Sequence, residues 1–240
     1  MTDTRMAAPI SADGGHGVLG FLRETLGSLR KSRLLVPALL LTVLLTVSNI
    51  VILRNAPPQG EVPPLAFVIA AIVRVAGLLL LAVTILRVLT DSRRRLYMPD
   101  GAFWLYVLTG IAGFAVSAAL GVVAGDRTDP IVGAVVGLAT IAISAPFAAW
   151  FTAIAVERPL ALNPAPWMRG MSRWLAPLLL WSVLVALPLG QLHAAIDYYL
   201  IRGAGDNFWP LMLFDGPLSA VLTIFTCALA VTAYRRVARG

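Results

Sequence analysis

Residues 65–89 read LAFVIAAIVRVAGLLLLAVTILRVL, an unbroken apolar run whose only charged members are Arg74 and Arg87. At about 1.5 Å per residue, a helix of this length exceeds the roughly 30 Å of a bilayer's hydrocarbon core. No alternation of polar and apolar positions interrupts it, which excludes a barrel strand with one face in lipid and the other in a polar lumen. A helix satisfies its own backbone hydrogen bonds, as lipid demands. Residues 65–89 therefore read as a transmembrane helix.

Five further runs of the same character lie at 34–53, 103–124, 131–156, 175–196 and 211–234. The expected fold is all-α, a polytopic membrane protein with six transmembrane helices in residues 34–240. Of the 240 residues, 59% are apolar and 13% charged, too few polar groups to clothe a soluble globule. Residues 1–16 mix Gly, Ala, Asp and Thr without an apolar period and read as a disordered tail. In 17–33, Val18, Leu22, Leu26 and Leu29 recur at helical spacing, with Arg23, Arg30 and Lys31 opposite. That pattern predicts an amphipathic helix lying on the bilayer. The first long apolar run follows these basic residues and reads as a retained span rather than a cleaved leader.

The net charge of +7 is unevenly placed. Fifteen basic residues fall on one side of the threaded chain, in the groups Arg5 to Arg33, Arg87 to Arg95, Arg158 to Arg173 and Arg235 to Arg239; Arg54, Arg127 and Arg202 fall on the other. Basic residues stay cytoplasmic, so both termini are expected inside a bacterial inner membrane. Arg93, Arg94, Arg95, Arg169 and Arg173 are then candidate contacts for anionic lipid headgroups, at about 1 kcal/mol each near the surface. This placement favours membrane lipids, with a membrane-protein partner besides, over nucleic acid. Trp104, Trp150, Trp174 and Trp209 fall near span ends, where indole rings anchor at the interface.

Small residues mark expected helix contacts. Gly113, Ser117 and Gly121 recur every four residues in the third run, and Gly133 and Gly137 answer in the fourth. That spacing lets two backbones approach closely, and predicts an antiparallel hairpin packed on the seam. Pro37, Pro146, Pro177 and Pro188 each remove a backbone donor and predict kinks.

Arg74 falls near the bilayer midplane, where a charge costs about 2.5–3.5 kcal/mol on insertion scales. It shares a face with Ala70, Ala71 and Gly77 and is expected to point inward and need an acceptor. Candidates are Gln191, His193, Asp197 and Asp215, with Asp215 heading a polar stripe through Ser219, Thr223 and Thr226. A buried polar centre of Arg74, His193, Asp197 and Asp215 follows if Asp215 pairs with Arg74. Asp215-Gly216-Pro217 also reads as a helix start, with Asp215 near the cap and Pro217 in the first turn. Both readings stand on sequence.

No Walker loop, H-E-x-x-H pair or G-x-S-x-G elbow occurs, and two histidines with one cysteine cannot furnish a zinc or haem ligand set. No catalytic residue, cofactor or metal is expected. Two functional classes remain. One is a non-enzymatic inner-membrane scaffold, accessory protein or organiser of lipid; the other is a small transporter or channel built on the polar centre.

The link ahead of the fifth run reads AVERPLALNPAPWMRGMSRW, Ala155 to Trp174. It predicts an interfacial helix capped by Asn163 with Pro164 in its first turn, exposing Arg169 and Arg173 and laying Trp167, Met171 and Trp174 on lipid. Its Ala-Leu, Trp and basic-Gly steps resemble the corresponding link in the membrane domain of the glycerophosphoryl diester phosphodiesterase family. The Asn163-Pro164 and Pro166 insertions depart from that pattern. The resemblance implies a six-span membrane domain with an amphipathic entry helix and carries no catalytic residue, since the family's phosphodiesterase chemistry resides in a separate soluble domain.

Overall fold

The computed structural model describes residues 17–57, 61–124, 130–157, 162–201, 205 and 208–239, and all regular structure among them is helical. Helix α1 (Val18–Ser28) leads through a 3-10 turn at Ser32–Leu34 into α2 (Leu35–Arg54). After α3 (Leu65–Leu89) come α4 (Gly101–Ala124) and α5 (Pro130–Ser144). A 3-10 turn at Ala145–Phe147 carries α5 into α6 (Ala148–Val156). The short α7 (Ala165–Met171) precedes α8 (Leu175–Trp181), which continues through a π-helical turn at Ser182–Ala186 into α9 (Leu187–Ile201). The last and longest is α10 (Phe208–Arg239). Among the described residues, Ser32–Arg54, Leu65–Leu89, Ile131–Val156, Leu175–Ile201 and Phe208–Arg239 are long and apolar enough to cross a membrane, and Gly101–Gly113 of α4 is a shorter apolar stretch.

The irregular turns sit at the expected prolines. Pro146 falls in the 3-10 turn joining α5 to α6, and Pro188 follows the π turn, each at a point where a missing N–H weakens the ladder. Pro217, by contrast, lies inside α10 without ending it. The reading of Asp215-Gly216-Pro217 as a helix start is therefore overturned: the helix begins at Phe208 and carries Asp215 about two turns in, fully buried.

Helix α10 is the axis of the bundle, packed on α2, α3, α6 and α9. Leu41 and Leu45 of α2, Val83, Ile85 and Leu89 of α3, and Ala228 and Val231 of α10 form the largest core, all but sealed from the surface. A second core gathers Phe21, Met171, Leu178, Leu229 and Ala233 toward the arginine-rich end; a third, of Ile196, Leu200, Met212 and Leu218, lies toward the other. The outer surface is apolar too, with Leu35, Val43, Ile72, Val75 and Leu108 more than half exposed. Such a surface is stable against hydrocarbon, not water.

One of the expected small residues lies at a close helix contact. A Cβ on Gly113 would meet nothing within 4 Å, while one on Gly137 would lie 2.7 Å from Leu187 Cδ1, and the Gly133 carbonyl accepts a bond from Gln191 Nε2 at 3.4 Å. Gly137 therefore receives Leu187 of α9, and Gln191 of the same helix reaches the Gly133 carbonyl. Helix α4 does touch α5, but the surroundings of Ser117 and Gly121 fall outside the described residues. The tightest approach is instead Gly216 of α10 on α2, where an added Cβ would run into Thr46, including its Cα at 3.1 Å.

Two amphipathic segments are also turned differently. Helix α1 buries Phe21, Thr25 and Ser28 against the bundle, leaving Val18 and Leu26 exposed. Thr25 Oγ1 donates to Thr232 Oγ1 at 3.0 Å, and the Arg236 guanidinium lies between the Phe21 and Trp174 rings, 5.4 and 4.6 Å from their centroids. In α7, the Ala165 N–H donates to Asn163 Oδ1 at 3.0 Å and Arg169 and Arg173 are exposed, as expected. Its aromatic face, however, meets protein: Met171 is buried and Trp167 stacks on Tyr234 at 5.4 Å. Helix α10 thus takes the aromatic face of α7 and, on α1, the Phe21–Thr25 face beside the apolar stripe, whose Val18 and Leu26 stay exposed.

Candidate functional site: a polar centre between four helices

Four helices each bring a polar group to one depth of the bundle. Asp215 of α10 is fully buried and receives two short bonds, from Asn49 Nδ2 at 2.6 Å and from His193 Nδ1 at 2.6 Å. Asn49, on α2, is 2% exposed and uses its other atom, Oδ1, to accept the guanidinium of Arg74 from α3. Helix α9 supplies His193 and, one turn on, Asp197, whose Oδ2 is 3.6 Å from His193 Nε2. Ser219, one turn beyond Asp215, places its hydroxyl 3.1 Å from His193 Nδ1.

Small residues beside the polar groups make room for them. Ala70 and Gly77 flank Arg74 on its face, and Gly77 sits against Leu44, so α2 and α3 close in on either side of the guanidinium. Gly216 does the same for α10 against α2, beside Asp215. Unpaired ions here would cost several kcal/mol; paired and hydrogen-bonded, they hold.

All four ionisable residues expected at this centre, Arg74, His193, Asp197 and Asp215, are thus brought together, although Asn49 bridges Arg74 to Asp215. Gln191 instead reaches α5. Asn49 was not anticipated. Its signal was present, a lone amide in an apolar run about one and a half turns from the Arg54 end, a depth near that of Arg74 in the antiparallel neighbour.

The chemistry on offer is that of charge and proton. His193, Asp197 and Asp215 offer ligand atoms within 4.8 Å of one another. The two carboxylates nevertheless address opposite nitrogens of the ring, and 2.6 Å between Nδ1 and Asp215 leaves no room for an ion between them without rearrangement.

A second polar knot ties the arginine-rich end. Arg87, fully buried, donates to the carbonyls of Ala155, Arg95 and Met98 and to Asp100 Oδ1 at 2.6 Å. Arg94 grips Asp100 Oδ2 at 2.7 Å and the Glu157 carbonyl. Arg94 is therefore not a headgroup contact: it is 8% exposed and engaged with protein. Arg93 and Arg95 remain exposed. Asp100 Oδ1 also accepts the Phe103 N–H at 3.1 Å, capping α4. Burial alone would raise the Asp100 carboxyl, but bonds from Arg94, the Phe103 N–H and Arg87 outweigh it and hold it below the usual carboxylate range. Lys31 and Arg235 meanwhile donate to the Leu89 carbonyl at the end of α3.

Comparison with family models, with curated proteins and with solved structures returned no match for this chain. The functional argument rests on this geometry.

Proposed function

We propose that this chain is a non-enzymatic integral protein of the bacterial inner membrane, with six spans and both termini cytoplasmic, that serves as a scaffold or accessory protein and organises anionic lipid at its basic face. The observation that carries it is the linkage made by the polar centre: Arg74, Asn49, His193 and Asp215 fasten α2, α3, α9 and α10 to one another. Ions used in this way fix which helices touch. Connectivity supports the sixth span. Arg94, just after α3, binds the Glu157 carbonyl, just after α6, so both points lie at one end. If α5 and α6 make one crossing toward that end, α4 must make the outward one.

The lipid role is read from Arg93, Arg95, Arg169 and Arg173, exposed cations at that end. Native mass spectrometry of protein extracted from phosphatidylglycerol-containing nanodiscs tests it. Wild type is expected to retain anionic lipid, and the variant with all four arginines changed to Ala to lose it with unchanged Tm. Equal retention by both would remove the lipid role, and a pulldown without a specific membrane-protein partner would remove the accessory one.

A specific observation favours a small transporter or channel as the second reading. The side chains of His193 and Asp197 stay 23% and 35% exposed while Asp215 is sealed, so the centre has an open side. Ion flux in proteoliposomes that Arg74→Ala abolishes without unfolding the protein would select it.

A further inference from the structure

His193 is hydrogen-bonded to one carboxylate through Nδ1 and faces a second, at longer range, through Nε2, and that arrangement favours a particular proton count. A neutral imidazole has one N–H and can donate to one carboxylate; only the imidazolium donates from both nitrogens. Nδ1 faces Asp215 at 2.6 Å and Nε2 faces Asp197 at 3.6 Å. The charges around the ring count the same way. Helix α3 brings Arg74, α10 brings Asp215 and α9 brings Asp197, while α2 contributes the uncharged Asn49 and the sequence of α5 has no ionisable residue. With a neutral ring the cluster carries one uncompensated negative charge in a low-dielectric setting; one proton removes it.

We propose that His193, Asp197 and Asp215 form a binding site for one exchangeable proton, carried on the His193 ring and reached past the half-exposed Asp197. Each partner has a distinct task. Asp215, anchored by Asn49 and through it by Arg74, is the fixed counter-charge. Asp197, on the open side, is the group through which the proton enters and leaves. The proton that leaves is the one on Nε2: the neutral ring keeps its Nδ1 N–H on Asp215, and Ser219, 3.1 Å from Nδ1, accepts a share of that N–H in both states. A divalent cation would add two positive charges where one is missing. This site stands independently of the scaffold reading: it senses outside pH in a scaffold and couples ions in a transporter.

The test is a histidine NMR titration of the full chain in nanodiscs, 15N-labelled at histidine, with His16→Gln so that His193 alone reports. The expected result is one ring proton lost between the acid and alkaline limits, with both nitrogens protonated in the acid form. Asp197→Asn should weaken proton binding about tenfold, and the neutral form should keep its proton on Nδ1. Asp197 is partly exposed, so its amide variant tests the site even if Asp215→Asn fails to fold. A single neutral tautomer throughout, or a titration indifferent to Asp197→Asn, overturns the proposal. The titration is repeated with sodium replacing choline at constant ionic strength, and with added zinc. An unmoved midpoint supports a proton site; a midpoint shifted by sodium or by zinc shows a metal cation as the occupant and overturns it.

Discussion

At the level of single residues, the charged members of the polar centre were legible because an ionisable group in an apolar run is costly and must find a partner. Asn49 was not, since a neutral amide raises no such demand until Arg74 and Asp215 are seen on either side of it. Arg74→Ala leaves Asn49 Oδ1 without its donor and Asp215 without its nearest fixed cation. A loss of about 1–3 kcal/mol is expected, read as a lower Tm in detergent, with Arg74→Lys losing less. Asp100 gives the complementary pH prediction. Its carboxyl titrates lower in the folded protein than free, so its contribution is fully present above its ordinary value of 3.8 and is lost as pH falls through the lower folded value. Thermal melts from pH 6 down to 3 should show wild-type Tm declining, and Asp100→Asn should start lower and decline less. A parallel decline in both proteins would place the acid sensitivity elsewhere. In sequence Arg87 reads as an orientation charge and Arg94 also as a headgroup contact, because their acceptors are mostly backbone carbonyls, which leave no mark in sequence.

At the level of elements, apolar runs gave the long helices to within a few residues, yet faces and contacts were less legible. The Val18–Leu22–Leu26 stripe of α1 is real, but Phe21, Thr25 and Glu24 meet specific partners on α10, and those outweigh an unspecific lipid surface. Glu24 pairs with Arg236 at 3.0 Å and Arg239 at 3.4 Å. Phe21→Ala empties a sealed site and should cost about 3–5 kcal/mol of docking, freeing α1. Hydrogen exchange over Val18–Ser28 should then rise sharply while α2 and α3 stay protected; unchanged exchange would mean that α1 is held by lipid after all. The glycine spacing was legible to a similar degree: Gly137 meets Leu187 of α9, and the surroundings of Ser117 and Gly121 fall outside the described residues. Spacing marks where a backbone can approach, not which neighbour fills the space, and a tight approach at Gly216 hid in a motif that also reads as a cap. Gly216→Ala should cost about 1–3 kcal/mol, because part of what it strikes is the backbone of Thr46.

At the level of the whole molecule, the proposed orientation rests on one asymmetry, the concentration of arginines at a single end. That end is also where contacts join distant parts of the chain: Lys31 and Arg235 on Leu89, Arg94 on Glu157, Tyr234 on Glu157 at 3.2 Å. At the other end Arg54 lies over the Trp209 ring, 4.8 Å from its centroid. The alternation of ends and the charge bias make one joint prediction. In a Cys227→Ala background, Glu61→Cys, exposed between α2 and α3, should react with an impermeant maleimide added to intact spheroplasts, and Arg93→Cys only after the membrane is opened. The reverse pattern would turn the molecule over and put its arginine-rich end outside. Reaction at both positions in intact spheroplasts would place the two loops on one side. Because only α3 lies between Glu61 and Arg93, that outcome would mean that residues 65–89 do not cross at all, and the six-span thread would fail with them.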